Sequence, residues 1–290
     1  MERMYTARVH THQVKRTISA GSAMLIKKDK RYTMTIAKAG KFILINVILL
    51  VIIFALQSLY NFLTYDLSGP MTWVLNQSGT LNANGDFIRA ISWYLLQIGV
   101  TCLLIRFILH QGLREAGFNT WNVQLSRKYI RYFVVLFPFI VAACLMLIYF
   151  TLGPDAIIGQ YAGRDAVYAV KDIAVYGTLP GLGEEPFFRI FVIQFLLMYG
   201  FNKRPSLDSK AIHTIILLSA VYFMLGHIHI GWSPLSLRYD VIQLITAFVL
   251  GIFYAVTYLR TRSILAAVVC HSYSDFVIFL MGYLVYFYHQ

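Results

Sequence analysis

Three short patterns in the second half of the chain set acids, histidines and an arginine at helical spacing. The first is Glu184-Glu185-Pro186-Phe187-Phe188-Arg189. Glu185 and Arg189 are four residues apart and face each other across one helical turn. Glu184 points about 100° away from Glu185, so one carboxylate is tied to the arginine and the other is left for proton transfer. Pro186 suits the first turn of a helix, which predicts both carboxylates at a helix N-terminus, where free N–H groups favour negative charge. The second pattern is Phe223-x-x-x-His227; a neutral imidazole there can bind a metal, hold water or serve as a buried hydrogen-bonding group. The third is His271-x-x-x-Asp275, a pair on one helical face that can orient a ring nitrogen, complete a metal site or hold a proton donor. Each pattern also has a plainer reading: a Glu–Arg pair that pins two helices, a satisfied core histidine, a satisfied pair inside a bundle.

The elements that must carry these residues are membrane spans. Of the 290 residues, 58 % are hydrophobic and only 13 % charged, against about 25 % charged in an average soluble domain. This excludes an ordinary soluble globule, a disordered chain and a secreted disulfide scaffold, and predicts an all-α, polytopic membrane helix bundle. About seven transmembrane helices are expected, at roughly 42–63, 90–110, 132–153, 184–201, 211–230, 241–259 and 264–286. The segment 173–183 is apolar but broken by Gly177, Pro180, Gly181 and Gly183, which reads as a re-entrant piece and a place for substrate to enter. Residues 1–41 hold ten Lys/Arg against Glu2 and Asp29. A basic stretch ahead of an apolar span signals orientation and contact with anionic headgroups rather than nucleic-acid binding. It is too long for a cleavable signal peptide. The N-terminus is therefore expected in the cytoplasm, with Arg114, Arg127, Lys128, Arg131, Lys203, Arg204, Lys210, Arg260 and Arg262 in the inside loops and Asp66 and Asp86 outside. The expected organisation is a basic segment at 1–41 and a single transmembrane domain at 42–290. Cys102, Cys144 and Cys270 sit in apolar spans and read as small hydrophobes.

Ionisable groups inside spans are costly and mark functional sites. They are Arg106, His110, Glu184, Glu185, Arg189, His227, His229, His271 and Asp275, most of them in the last four expected spans. At 1.5 Å rise per residue, Glu184 and His227 lie about 25 Å and about 24 Å from the cytoplasmic ends of their spans, with Asp275 at about 17 Å and His271 about a turn below. Three helices thus aim polar groups at one depth, which predicts a single wet pocket. His229 is expected to face elsewhere. Trp93, Tyr94, Trp232, Tyr283 and Tyr286 read as an interfacial aromatic belt.

Glu184-Glu185-x-x-x-Arg189, Phe223-x-x-x-His227 and His271-x-x-x-Asp275, in this order on separate spans, resemble the CPBP family of CAAX-protease and bacteriocin-processing intramembrane proteases, also called Abi, over about residues 172–280. The resemblance implies an endopeptidase acting on a membrane-associated protein or peptide substrate, of CAAX type or in bacteriocin or pheromone processing or self-immunity. It implies Glu184 as the general base for water, His227 as holder of that water or a metal, His271 and Asp275 at the oxyanion or closing the polar ring, and Glu185, Arg189 and Phe223 as support. Cofactor use is zinc or none. A zinc ion would draw on Glu184, His227, His271 and Asp275 with one position open for water, although no HExxH spacing occurs. Where some relatives carry Asn, this chain has Asp275; an ionised Asp repels an oxyanion, so Asp275 fits a metal site or a protonated or histidine-orienting role. Two other functions fit parts of the pattern: a non-catalytic membrane scaffold or immunity protein of the same fold, and a transporter, which the lack of an internal repeat disfavours.

Overall fold

The structure, a computed structural model, describes residues 39–79, 83–201, 210–232 and 235–290. The basic residues up to Lys38, Asn82, Lys203, Arg204 and the Ser233-Pro234 breaker lie outside the described residues. The chain divides into two units, 1–48 and 49–290. Within the first, the described residues form the opening turns of α1 (Ala39–Thr64), where Asn46 Nδ2 donates to the Phe42 carbonyl one turn back at 2.7 Å.

The second unit is built almost wholly from helices. Long apolar runs form α3 (Ala83–Phe107), α5 (Val123–Leu152, with Pro138 inside it), α11 (Val241–Thr261) and α12 (Leu265–Tyr288); the short helices α2 (Pro70–Gln77) and α4 (Leu113–Ala116) precede α3 and α5. Among the described residues five helices, counting α1, are long and apolar enough to cross a bilayer. Their outward faces carry large apolar groups such as Phe139 and Phe150, 72 % and 81 % exposed, a surface suited to lipid and costly in water. The chain is thus a multi-pass, all-α membrane protein.

The fourth and fifth expected spans differ from the expectation. The helix that carries Glu184 starts at Leu179, not at Glu184. α6 (Asp155–Ile158) and α7 (Ala166–Tyr176) precede it, and α8 (Leu179–Glu185) continues through a π-helical stretch at Pro186–Phe191, α9 (Val192–Phe195) and a second π-helical stretch at Leu196–Gly200. Pro186 has no N–H to donate, and beyond it the ladder slips: the Val192 N–H donates to Phe187, five residues back. Pro186 therefore marks a register change inside a helix, not its first turn. The fifth helix, α10 (Lys210–Leu225), is 16 residues long, about 24 Å. It unwinds at Gly226, where His227 and Ile228 N–H groups reach back only three residues, and gives way to β1 (His229–Trp232), paired antiparallel with β2 (Leu235–Arg238).

α8 lies between α3 and α12. Its glycines make that approach possible. A methyl group on Gly181 would lie 2.5 Å from Ser272 Oγ and 2.7 Å from the Val268 carbonyl oxygen on α12, and one on Gly183 would meet Tyr94 and Gln97 on α3 at 2.8 and 2.9 Å. The segment expected as a re-entrant entry point is instead a tightly packed seam. On the same side, α7 is fastened to α12 by a buried cluster. Arg164 Nη1 donates to Asp172 Oδ2 at 2.7 Å and to the Tyr283 hydroxyl at 3.0 Å, and Tyr283 donates to Asp172 at 2.6 Å. Tyr283 and Tyr286 are each 2 % exposed, so neither belongs to an interfacial belt; their hydroxyls fix the connection that leads into α8.

Candidate active site

Glu185 is fully buried and wholly engaged. Arg189 Nε donates to its Oε2 at 2.8 Å and Nη2 to Oε1 at 3.3 Å, while His271 Nδ1 lies 2.9 Å from Oε1. Arg189, itself fully buried, also donates to Ser219 Oγ at 3.0 Å, and its guanidinium sits 4.5 Å from the Phe223 ring centre. A buried charge is tolerated when paired and hydrogen-bonded, and here one carboxylate, one guanidinium, a serine and an aromatic face meet that need together. The network ties α8, α10 and α12.

His271 stands at its edge. Nδ1 faces Glu185 and Nε2 lies 3.3 Å from Asp275 Oδ2. Its ring stacks on Tyr254 of α11 at 5.2 Å and 13°, and Tyr254 shares a 2.9 Å hydrogen bond with Ser274. Flanked by an acceptor at each nitrogen, the ring suits an imidazole carrying both N–H protons, and Asp275 takes the histidine-orienting geometry. His227 is held differently. Its Nδ1 donates to the Phe223 carbonyl at 2.8 Å and its ring packs edge-on against Phe223 at 4.9 Å. With Nδ1 donating, Nε2 of the neutral ring is an acceptor.

Glu184 is the contrast to Glu185. Neighbours in sequence, they point into different surroundings; Glu184 Oε2 is buried and has no hydrogen-bond partner. Glu184, His227, His271 and Asp275 all line one cavity of about 660 Å³. Among the described residues six buried side-chain polar atoms lack a partner, and three of them, on Tyr60, Gln97 and Glu184, belong to residues lining this cavity. Such concentration marks a wet, polar site within the bundle.

Sequence reasoning brought the four polar residues to one depth and did not foresee the rest of the wall. His229 lines the cavity, because the chain is already a strand there and the helical angle no longer applies; it pairs across the hairpin with Arg238, which also lines it. Tyr94 and Gln97 come from α3 and Gln57 from α1, where Gln57 Nε2 donates to the Gly226 carbonyl at 2.9 Å and holds the unwound end of α10. A signal existed for Ser219, which stands one turn before Phe223 and two before His227; none existed for Tyr254. The carboxylates lie at the end of α8, more than a turn past its start, so no helix N-terminus meets them and only Glu185 is met by side chains.

A zinc-bound histidine offers a bare nitrogen lone pair, whereas here a carboxylate oxygen faces each nitrogen of His271, at 2.9 Å and 3.3 Å. Among the described residues no group of three or more His, Cys, Asp or Glu is disposed to hold a metal.

Residues 167–277 match the model of a family described as type II CAAX prenyl endopeptidase Rce1-like. All three polar patterns fall within the match. The match covers less than half of the chain, and it is this segment that is similar to that family. Curated proteins and solved structures give no match. The family so matched is one of CAAX-type proteases, which are hydrolases. α1, α3 and α5 lie outside the match, yet α1 and α3 supply part of the cavity wall.

Proposed function

We propose that the chain is an intramembrane endopeptidase in which Glu184 activates water against a peptide bond near the C-terminus of a membrane-anchored, CAAX-type substrate, with the N-terminus of the enzyme in the cytoplasm. Glu184 takes a proton as the water oxygen adds to the scissile carbonyl. The tetrahedral oxyanion forms beside His271, whose positive ring is held by Glu185 and Asp275 and offsets the new charge. Glu184 then passes its proton to the leaving amine, giving a carboxylic acid and an amine. The acceptor Nε2 of His227, on the same cavity, takes the N–H of the scissile amide. Glu185 and Arg189 are the frame, and Phe223 fills the space between the guanidinium and both imidazoles.

The observation that carries this reading is the division of labour between adjacent carboxylates. Glu185 is saturated by Arg189 and His271, while Glu184 keeps an unpartnered oxygen on a polar cavity. In this reading the hydrolysis is of the glutamate type, supported by the carboxylate oxygen that faces each nitrogen of His271. The test is cleavage of an S-farnesylated peptide ending in Cys-Val-Leu-Ser, a CAAX sequence, by the purified protein in liposomes with a strong chelator present. We expect a new C-terminus detected by mass spectrometry at an undiminished rate. No cleavage, or cleavage that stops in chelator and returns with zinc, would contradict the proposal.

A further inference from the structure

Two orphaned acceptors from different helices belong to residues that line one cavity. Glu184 Oε2 on α8 and Gln97 Oε1 on α3 are both buried and unpartnered, and both residues line it. Gln97 is 8 % exposed. A methyl group on Gly183 would stand 2.9 Å from Gln97 Oε1, so the Gln97 amide lies against the backbone one residue before Glu184. A carboxylate and an amide oxygen are both acceptors and cannot satisfy each other. Leaving a buried acceptor unmatched costs about 1–3 kcal/mol, and α3 could avoid that cost with a methionine or leucine at this position. The chemistry that satisfies both oxygens is one small molecule with two donors and a lone pair to spare, which is water.

We propose that Gln97 is a positioning residue for the hydrolytic water: Gln97 Oε1 and Glu184 Oε2 accept its two O–H bonds and leave its lone pair facing the scissile carbonyl. This rests on the reading of Glu184 as the general base. In the reaction, the O–H directed at Glu184 breaks and its proton moves to that carboxylate as the oxygen bonds to carbon. The O–H directed at Gln97 survives into the new carboxylic acid. α3 lies outside the matched family segment, so the domain that carries the motifs draws part of its water site from a helix the motifs do not mark.

The experiment measures kcat and KM of the full-length protein in liposomes on the same farnesylated peptide for the wild type, Glu184→Gln, Gln97→Met and Gln97→Glu, with the thermal midpoint of each. Methionine keeps the shape and removes the acceptor; kcat should fall on the order of 100-fold, as for loss of one preorganised hydrogen bond, with KM and thermal midpoint unchanged. Glutamate keeps an acceptor oxygen and should recover at least about ten-fold of that loss at its own pH optimum, again by the worth of one such bond. A structural role would instead lower the thermal midpoint or raise KM. If Glu184→Gln is inert while Gln97→Met keeps wild-type kcat, the role of Gln97 alone is overturned. Gln97→Glu being as slow as Gln97→Met overturns it too, because then the amide acts as a donor. If Glu184→Gln cleaves normally, the reading of Glu184 falls and this inference with it.

Discussion

At the residue scale, two neighbouring glutamates stand in opposite surroundings, one saturated with partners and one with an unpartnered oxygen. Glu185 accepts from Arg189 twice and from His271 once, and its removal leaves a buried guanidinium without its counter-charge. Glu185→Gln should therefore cost about 3–5 kcal/mol of stability, read as a lower thermal midpoint in detergent, and should lower activity by loosening His271. The same change at Glu184 strands no buried cation. A destabilisation at Glu184 as large as at Glu185 would show that both are structural. The Glu185–Arg189 pairing was legible from spacing, because a four-residue step on a helix leaves little choice of partner. The bridge from Glu185 to His271 was not, because it joins residues 86 apart and depends on how α8 and α12 pack. Tyr254 escaped for the same reason: one tyrosine among 20 carries no local mark of the ring it will stack on.

At the element scale, the site depends on close packing of α8 against α12 and α3. Gly181→Val would drive a branched side chain into the Ser272 side chain and the Val268 carbonyl oxygen, contacts already at 2.5 and 2.7 Å for a bare Cβ. The cost should reach about 3 kcal/mol, as for strong overpacking, and activity should fall with the folded fraction. Equal stability and activity of Gly181→Val would restore this segment as an open passage for substrate. Composition marked the long uniform helices well, since an apolar run of span length has few alternatives. It marked the broken elements poorly. The π-helical turns after Pro186 and the strand after Gly226 are set by tertiary contacts, including Gln57 on the Gly226 carbonyl, and a helical wheel drawn through residue 229 turned His229 away from a cavity it lines.

At the scale of the whole molecule, the polar cavity sits among helices whose outer faces are apolar. Only groups with partners are cheap there; one charged network is closed on itself, and a small set of acceptors on the cavity is left without protein partners. The family segment, 167–277, contains the closed network but not the whole cavity, so excising that segment would remove Gln57, Tyr94 and Gln97 from the wall. The division into spans was legible in broad terms, and the convergence of three helices at one depth followed from simple rise-per-residue arithmetic. The contribution of α1 and α3 was not, because glutamines and tyrosines in a span carry no charge to flag them.

The central claim, that Glu184 is the base in a hydrolytic cavity whose frame does not need it, is tested most directly by comparing wild type and Glu184→Gln in one preparation, with peptide turnover and thermal midpoint measured side by side. The account predicts turnover lower by at least about 1,000-fold, since the lost base also stabilises the transition state, at an unchanged thermal midpoint. Turnover within about ten-fold of wild type, or loss of turnover matched by loss of fold, would contradict it.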